Sequence, residues 1–367
     1  MLLRHLELAN YKNFEKLVIE PSEGLQCIIG PNGSGKTNLL DSIYYSCMAR
    51  SFFHLSDRNN MRYGSQFFRL ISYWSDGDRD HELIIRRSAS ERVISWNGIE
   101  SERSADHLGR LPVVMIVPND AYTLLTESEE RRKLINQTLV QTNPSYFRAL
   151  AEYHRLLNQK MALLKASKSG TRTDHALLDT YDHSMVQPAT LIYEARKNFC
   201  NEIAPDLESM GLAISQNAQN CSLSYHSDFD IGQVAQRWAE DRSRDLLAGR
   251  VHSGIHRDKI EYQFNGQSLK NYGSQGQIKT FVMALRLAQV QYLRKHTLTE
   301  PILLLDDLFA KLDEDRVKQL VHLVQKIGIS QCFISDTHLD RARNLVMQNP
   351  VRGKVFTFEG EKLSTYV

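Results

Sequence analysis

The stretch Gly30-Pro31-Asn32-Gly33-Ser34-Gly35-Lys36-Thr37 decides the fold, because its spacing is that of a phosphate-binding loop. Its three glycines permit backbone conformations that are closed to other residues, so successive N–H groups can point at phosphate oxygens. The Lys36 side chain can reach the β- and γ-phosphates, and the Thr37 hydroxyl can take one coordination position on Mg²⁺. The sequence therefore predicts a site for a nucleoside triphosphate and Mg²⁺.

The residues on either side of this loop supply the structure that the motif requires. The apolar run Cys27-Ile28-Ile29 predicts a short buried strand that leads into the loop. The segment after the loop predicts a helix with one apolar face, formed by Leu39, Leu40, Ile43, Tyr44 and Cys47. A turn from strand to helix is where a phosphate-binding loop belongs, so a glycine-rich turn without a ligand is the weaker alternative.

Composition places the chain among ordinary globular proteins. It has 367 residues, of which 42% are hydrophobic and 24% charged, enough for two domains or for one domain with a large insertion. Lys and Arg (45) nearly balance Asp and Glu (43), so any nucleic-acid binding has to come from uneven placement of charge. The five scattered cysteines and the lack of a long apolar run predict a reduced, cytoplasmic protein that is neither exported nor embedded in a membrane.

Hydrophobic patterning predicts three blocks along the chain. Residues 1–120 alternate like strands around the loop, with a hairpin signal at Asn97-Gly98, and predict the N-terminal part of a nucleotide-binding head. Residues 121–250 have helical periodicity and predict a mainly helical insertion, and residues 251–367 return to alternating strands and helices. The predicted class is α/β, with a mixed parallel sheet, an antiparallel β-layer and an inserted helical domain.

The segment Leu303-Leu304-Leu305-Asp306-Asp307 is the natural partner of the phosphate loop. It predicts a buried strand that delivers two carboxylates at its C-terminal end, where open α/β sheets bind ligands. We expect Asp306 to orient Mg²⁺ and Asp307 to polarise the attacking water. The alternative is a strand that ends in an ordinary Asp-Asp helix cap.

A second helix start, at Ser274-Gln275-Gly276-Gln277, has the character of an anion-binding site. A serine and a glycine at a helix N-terminus present free N–H groups and a hydroxyl. The simpler interpretation of Ser274 is that it is an N-cap, and on the motif alone this is the favoured one.

The order of these motifs resembles the ABC-type ATPase heads of the SMC class, and within that class the RecF family of repair proteins. The resemblance spans almost the whole chain, without the coiled-coil arms of long SMC proteins. The chain departs from the family pattern at Ile255 and at Ile278-Lys279. Besides the motifs above, the resemblance rests on 8–14 (LANYKNF), 49–52 (ARSF), 118–120 (PND), 253–258 (SGIHRD), 311–313 (KLD) and 335–338 (SDTH).

That resemblance implies a mechanism. Two copies would close over two ATP molecules, and Ser274, Gly276 and Gln277 of one copy would complete the site built on the phosphate loop of the other. His338 would act as the switch histidine that contacts the γ-phosphate, or else as a surface histidine at a helix start. The family also implies weak, DNA-stimulated ATP hydrolysis in recombinational repair and replication-fork maintenance, with RecR- and RecO-type proteins as partners.

Basic residues supply candidates for backbone contacts to single- or double-stranded DNA. They are Arg50, the run Arg131-Arg132-Lys133, and the insertion loop with Lys165, Lys168 and Arg172. The alternative for each is a solvated surface charge. Two functions remain open: an ATP-driven homodimeric clamp on DNA, or a scaffold on which ATP only stabilises a partner-binding conformation. A transporter ATPase subunit fits less well, because the insertion exceeds what coupling to a membrane protein requires.

Overall fold

The computed structural model describes residues 1–54, 56–215, 220–307, 314–347, 351, 353–360 and 362–366. The chain divides into two compact units. The first unit comprises Met1–Tyr122, Met210–Ala218 and Lys279–Val367, and the second comprises Thr123–Ser209 and Gln219–Ile278. The short loop expected at 311–313 lies outside the described residues. The three predicted sequence blocks stay a prediction about how the chain folds.

The core of the first unit is a mixed sheet. Its order is β15-β14-β3-β13-β12-β8, and all neighbours pair in parallel except β14 and β15. The strands are β3 (Gly24–Ile29), β8 (Val113–Ile116), β12 (Ile302–Leu305), β13 (Gln331–Asp336), β14 (Lys354–Glu359) and β15 (Lys362–Tyr366). The residues of β3, β8, β12 and β13 are all buried, as expected for strands covered on both faces.

An antiparallel sheet forms the second layer of the first unit, with the order β2-β1-β4-β5-β6-β7. Its strands are β1 (Leu2–Tyr11), β2 (Phe14–Ile19), β4 (Phe67–Ser75), β5 (Asp80–Ser88), β6 (Arg92–Trp96) and β7 (Ile99–Glu100). The amide side chain of Gln331 joins the two sheets, because it accepts from the Leu3 N–H at 2.9 Å and donates to the Leu3 carbonyl at 2.9 Å. The predicted hairpin turn is present, with positive φ at Asn97 (52°) and Gly98 (78°).

Four helices lie wholly in the first unit or begin at its edge, and the phosphate loop leads into the first of them. They are α1 (Lys36–Met48), α2 (Asp120–Thr126), α10 (Glu314–Ile327) and α11 (Leu339–Met347). Helix α1 packs against β13 and β8 and is buried on nearly every side, whereas the sequence predicted a single apolar face. Polar side chains such as Asp41, Ser42 and Ser46 are buried there because each finds a hydrogen-bond partner.

The second unit is mainly helical. Its helices are α3 (Ser128–Thr142), α4 (Pro144–Lys168), α6 (Val234–Glu240), α7 (Arg242–Ala248) and α8 (Leu269–Tyr272). Two longer helices each have one end in it: α5 (His175–Ile214) and α9 (Gln275–His296). A small antiparallel sheet has the order β11-β10-β9, with β9 (Cys221–His226), β10 (Lys259–Phe264) and β11 (Gln267–Ser268). The observed architecture confirms the predicted class.

Candidate active site

The phosphate loop joins β3 to α1 and depends on two left-handed glycines. Gly33 has φ 81° and Gly35 has φ 105°. A Cβ on Gly35 would lie 2.7 Å from Asn13 Nδ2 and 2.8 Å from Phe14 Cζ, whereas a Cβ on Gly33 would meet nothing within 4 Å. At Gly33 a glycine is therefore required only by the backbone conformation. At Gly35 it is also required by space, because Asn13 and Phe14 pack against its Cα.

The Lys36 side chain lies within the loop. Its Nζ donates to the carbonyl oxygens of Gly30 at 2.7 Å and of Pro31 at 3.0 Å. Burial lowers the pKa of Lys36, and the nearby carboxylates of Asp307 and Asp306 oppose that shift. The loop thus holds a desolvated cation against its own backbone, where a phosphate oxygen is a better partner than a neutral carbonyl.

Thr37 and Asp306 meet at the carboxyl edge of the mixed sheet. Thr37 Oγ1 lies 3.0 Å from both carboxylate oxygens of Asp306, and Ser335 Oγ donates to Asp306 Oδ1 at 2.8 Å. The sheet order explains the meeting, since β13 separates β3 from β12 and all three run in parallel. Burial raises the pKa of Asp306, and the hydrogen bonds from Ser335 and Thr37 oppose the shift.

Asp307 has the backbone geometry of a strained functional residue. Its φ is 43°, in the left-handed region that a non-glycine residue rarely adopts. The Asp307 N–H donates to Ser335 Oγ at 2.7 Å, so one serine hydroxyl orients both acidic residues. Asp307 Oδ1 is buried and has no hydrogen-bond partner among the described residues. A buried carboxylate oxygen without a donor is free to accept a hydrogen bond from a water molecule.

Asp336, the residue after Ser335, organises the start of α11. Its Oδ1 accepts from the N–H groups of Thr337 at 2.6 Å and His338 at 3.3 Å. Arg341 donates to both carboxylate oxygens of Asp336 at 2.6 Å. The His338 side chain is exposed, and its backbone N–H, not its ring, takes part in the cap. Its expected role at the γ-phosphate stays a prediction.

Two of the motifs that carried the family resemblance converge on Asp41, inside α1. Asp41 is fully buried and pairs with Lys12 Nζ at 2.6 Å. Its carboxylate also accepts from Tyr11 OH at 2.8 Å, from Ser51 Oγ at 2.7 Å and from the Phe52 N–H at 2.7 Å. The turn after β1 and the segment after α1 are thereby tied to the helix that begins in the loop. Sequence reasoning did not identify Asp41, since an acidic residue on a predicted helix looks like surface charge.

The segment 118–120 (PND), a third motif of the family resemblance, ends in a residue that forms another buried ion pair. Arg286 of α9 donates to Asp120 Oδ2 with Nε at 3.0 Å and Nη2 at 2.9 Å, and its Nη1 donates to Gln289 at 2.9 Å. Asp120 also accepts from the Val117 N–H at 3.3 Å. The helix that begins after Ser274 is therefore anchored, three turns further on, at the end of β8.

In the second unit, Ser274 caps α9 in a reciprocal arrangement. Its Oγ accepts from the Gln277 N–H at 3.3 Å, and its own N–H donates to Gln277 Oε1 at 2.8 Å. This is a capping box, with glutamine at the third helical position. Ser274 is exposed and Gly276 half-buried, so the helix tip faces solvent on its own unit.

Among the predicted DNA-binding residues, the run Arg131-Arg132-Lys133 makes contacts within the protein. Arg131 is buried, and its guanidinium donates to the carbonyls of Leu124 and Leu125. Arg132 donates to the Asp258 carbonyl at 2.9 Å, and Lys133 pairs with Glu130 at 3.2 Å. Arg50 is exposed at the end of α1. These contacts favour a structural role for Arg131 and Arg132, because guanidinium N–H groups that already donate to backbone carbonyls are not available to a phosphate.

The residues at the loop fit ATP and Mg²⁺. The Ser34 hydroxyl oxygen and Asp307 Oδ1 are buried without partners among the described residues, and Lys36 is satisfied only by loop carbonyls. The Thr37 hydroxyl and the Asp306 carboxylate present adjacent oxygen ligands of the kind that Mg²⁺ prefers. Phosphate oxygens would satisfy the first set, and a Mg²⁺ ion would be held by the second.

Comparison with known proteins agrees with this geometry. The family described as "RecF/RecN/SMC N terminal domain" matches residues 2–68. The DNA replication and repair protein RecF of Cytophaga hutchinsonii is 32% identical over 99% of this chain and 96% of its own length. The RecF protein of Flavobacterium johnsoniae is 33% identical over 97% of this chain and 99% of its own length.

Solved structures show the same fold at lower sequence identity. A structure of the recombination mediator protein RecF with ATPrS in the RecFOR pathway has a TM-score of 0.87 and 23% identity, covering 100% of this chain and 98% of that one. The Smc head domain of Pyrococcus furiosus, bound to the C-terminal domain of ScpA, has a TM-score of 0.57 and 17% identity, covering 99% of this chain and 95% of that one.

The fold and the site together define an ABC-type ATPase head of the SMC class. Its phosphate loop and its Asp306-Asp307 edge come together as that class requires. More particularly, the chain belongs to the RecF family of DNA replication and repair proteins. Within the described part of the chain, no helix has the length and apolar character needed to span a membrane.

Proposed function

We propose that this protein is an ATP-driven homodimeric clamp on DNA, which closes when ATP binds and is released by slow, DNA-stimulated hydrolysis. The observation that carries the proposal is the contact of Thr37 with Asp306 and of Ser335 with both acidic residues. These contacts bring a phosphate loop and a pair of carboxylates to one sheet edge. Phosphoryl transfer needs little more from a protein than such positioning and charge compensation.

Each residue of the site has a defined part in the hydrolysis. Lys36 and the loop N–H groups bind the triphosphate, and Thr37 and Asp306 would hold a Mg²⁺ ion, which would supply positive charge to stabilise the transferring phosphoryl group. Asp307 accepts a hydrogen bond from the attacking water through Oδ1, which is without a partner in the described part of the chain. Ser335 keeps the two carboxylates in different roles, because it donates to the side chain of one and accepts from the backbone of the other.

Two exposed surfaces support dimerisation, because each supplies only part of a binding site for the triphosphate. The outer side of the loop, Pro31-Asn32-Gly33, is exposed. The α9 tip exposes Ser274, with Gly276 and Gln277 half-buried beside it, and a helix N-terminus that carries a hydroxyl is suited to an anion. We infer that the tip of one copy binds the γ-phosphate held by the other, and that loss of the γ-phosphate opens the dimer.

The biological setting follows from the relatives. Their name, DNA replication and repair protein, supports DNA as the ligand, and the RecFOR setting of the similar structure supports RecR- and RecO-type proteins as partners. DNA contacts would be to the backbone and therefore salt-dependent, with Arg50 as the remaining exposed candidate of the first unit. A cytoplasmic location accords with such a role.

The test is the mass in solution, by light scattering, with no nucleotide, with ADP and with ATP plus Mg²⁺ and DNA. We expect a dimer only with ATP. Ser274→Arg should remain a monomer while it still binds ATP, because the added side chain blocks the tip of α9. The matched control is Ser169→Arg, which adds the same group at another exposed helix end of the second unit. A monomer in all conditions for the unmodified chain would contradict the clamp.

A further inference from the structure

The segment Ser253–Asp258, which carried part of the family resemblance, takes no part in the ATP site. Its last residue, Asp258, is buried in the second unit and pairs with Arg196 Nη1 at 2.9 Å. Tyr225 and Ser227 also donate to the Asp258 carboxylate. The positive charge of Arg196 neutralises this carboxylate, and its hydrogen bonds are all made within the protein. Asp258 therefore has a structural role: it joins α5 to the ends of β9 and β10.

The start of the same segment is a constrained turn. Gly254 has φ 128°, and a Cβ there would lie 2.8 Å from Tyr153 OH. Tyr153 OH in turn lies 2.8 Å from His256 Nδ1. The 3₁₀ turn Ile255–Arg257 follows, with Ile255 buried and Arg257 exposed. The contacts of Gly254 and His256 with Tyr153 therefore fix the turn, and the exposed side chain of Arg257 projects from it.

Arg257 faces a cavity of about 660 Å³ between α5, β9 and the strand start at Lys259. Lys197 and Lys259 also line it, and both are exposed. None of these three cations has a carboxylate partner among the described residues. The acidic side chains of the lining are already paired, since Asp258 binds Arg196 and Asp228 lies 3.6 Å from Arg237. The cavity is therefore a concave surface with surplus positive charge.

Aromatic rings and neutral donors complete the lining. Tyr193 and Tyr225 line the cavity with their ring centroids 6.0 Å apart, and Lys197 Nζ lies 5.8 Å from the Tyr193 ring. Ser224 and Asn201 add a hydroxyl and an amide. Cations interleaved with aromatic faces and neutral donors are the composition of single-strand nucleic-acid grooves.

We propose that this cavity binds the sugar-phosphate backbone of single-stranded nucleic acid, with Lys197, Arg257 and Lys259 as phosphate ligands. The rings favour a single strand over a duplex, because the bases of a single strand are free to stack on aromatic side chains, and the volume of the cavity lies in the range of ligand sites. An acidic peptide would use the cations but not the rings. The inference rests on the proposed function as a DNA-binding clamp and names the second unit as the part that holds a single strand.

The test compares two triple variants that remove equal charge from exposed positions of the second unit. The first is Lys197→Ala, Arg257→Ala and Lys259→Ala, and the control is Arg148→Ala, Arg244→Ala and Arg250→Ala. Affinity for a fluorescent oligothymidylate is measured over a series of salt concentrations, with ATP and Mg²⁺ present. ATP hydrolysis without DNA and the unfolding midpoint are recorded for each, and both should match the unmodified chain.

We expect the cavity variant to lose at least tenfold in affinity, and the slope of log affinity against log salt to become shallower by about 2, for three lost phosphate contacts. The control should keep both the affinity and the slope. Photocrosslinks from the oligonucleotide should map to peptides that contain Tyr193 or Tyr225.

The inference is overturned if the cavity variant keeps its affinity and slope, or if the control loses them instead. It is also overturned if poly-glutamate binds with the same cavity dependence as the oligonucleotide. A chain that binds duplex but no single strand would overturn the cavity assignment and leave the clamp standing. A chain that binds neither would overturn both.

Discussion

The Thr37 hydroxyl lies 3.0 Å from both carboxylate oxygens of Asp306, although 269 residues separate the two in sequence. The contact is possible because β3 and β12 flank β13 in one parallel sheet, so their carboxyl ends lie at the same edge. Asp306 directly follows the buried strand β12, and Thr37 lies in the first turn of α1, after the loop that leaves the buried strand β3. The edge where Thr37 and Asp306 meet, which is the proposed site for Mg²⁺, is therefore a product of strand order.

Thr37→Val tests that contact. The substitution keeps the shape of the side chain and removes the hydroxyl, so we expect ATP affinity with Mg²⁺ to fall roughly 10- to 100-fold, the worth of one interaction with a charged group. Affinity measured in EDTA should change little. Calorimetric titration under both conditions checks this, with Thr37→Ser as the control that keeps the hydroxyl. An equal loss with and without Mg²⁺ would assign Thr37 to the phosphates instead.

Asp307→Asn separates hydrolysis from binding. The amide keeps the shape of the side chain but cannot orient a water as a carboxylate does, so we expect single-turnover hydrolysis to slow by about 10²- to 10³-fold. ATP affinity should stay within a few-fold, and the ATP-bound dimer should persist on DNA.

Light scattering after ATP addition reports whether the Asp307→Asn dimer persists. Unchanged cycling and partner binding in this variant would favour the scaffold function over the clamp.

Gly35→Ala tests the close packing beneath the loop. The new Cβ would lie 2.7 Å from Asn13 and 2.8 Å from Phe14, and it would also sit at φ 105°. Gly98→Ala, at φ 78° with nothing within 4 Å, isolates the backbone cost, about 1 to 2 kcal/mol. We expect Gly35→Ala to destabilise the chain more than Gly98→Ala in urea unfolding and to abolish ATP binding. Equal destabilisation would mean that Asn13 and Phe14 move aside freely.

The Lys12–Asp41 pair is expected to be a major anchor of α1. Both side chains are buried, and Nζ lies 2.6 Å from Oδ2. Removing one partner leaves a charge in the core, so Lys12→Met should destabilise the chain by about 3 kcal/mol. Asp41→Asn combined with Lys12→Met should cost less than the sum of the single changes, because the two groups are coupled. Strict additivity in urea unfolding would count against the pair.

His107 predicts a pH dependence of stability. The imidazole is buried, Nε2 lies 2.6 Å from the Ser46 carbonyl oxygen, and burial lowers the pKa of His107 to about 4. Between pH 6.5 and 4 the unfolded chain binds a proton that the folded chain does not, so stability falls as pH falls through this window. Above pH 6.5 both forms are neutral and the residue contributes no pH dependence.

The matching measurement is urea unfolding of the unmodified chain and of His107→Gln at pH 7 and pH 5. The difference between the two proteins should shift by roughly 2 kcal/mol in favour of the variant at pH 5. Other titrating groups cancel in that comparison. A difference that stays constant between the two pH values would show that His107 takes up its proton over the same pH range in the folded chain as in the unfolded chain.

Sequence reasoning predicted much of the fold and the centre of the site. The phosphate loop, its strand-to-helix setting and the acidic pair after β12 were all predicted, because each depends on local spacing along a short segment. The long-range contacts that hold these elements in place were not predicted. Ser335 was noted only as part of a motif, and the anchors at Asp41 and Arg286 are partners of residues far away in the chain.

What the sequence by itself determined is therefore the chemistry of the site, since glycine conformations, a lysine and a pair of carboxylates at set positions specify a phosphate-binding loop wherever they occur. Only the tertiary structure decided which charges are available for binding. Arg131 is buried against carbonyl groups, whereas Arg257 is held outward over a cavity. The physical reason is that burial and charge pairing depend on which distant elements pack together.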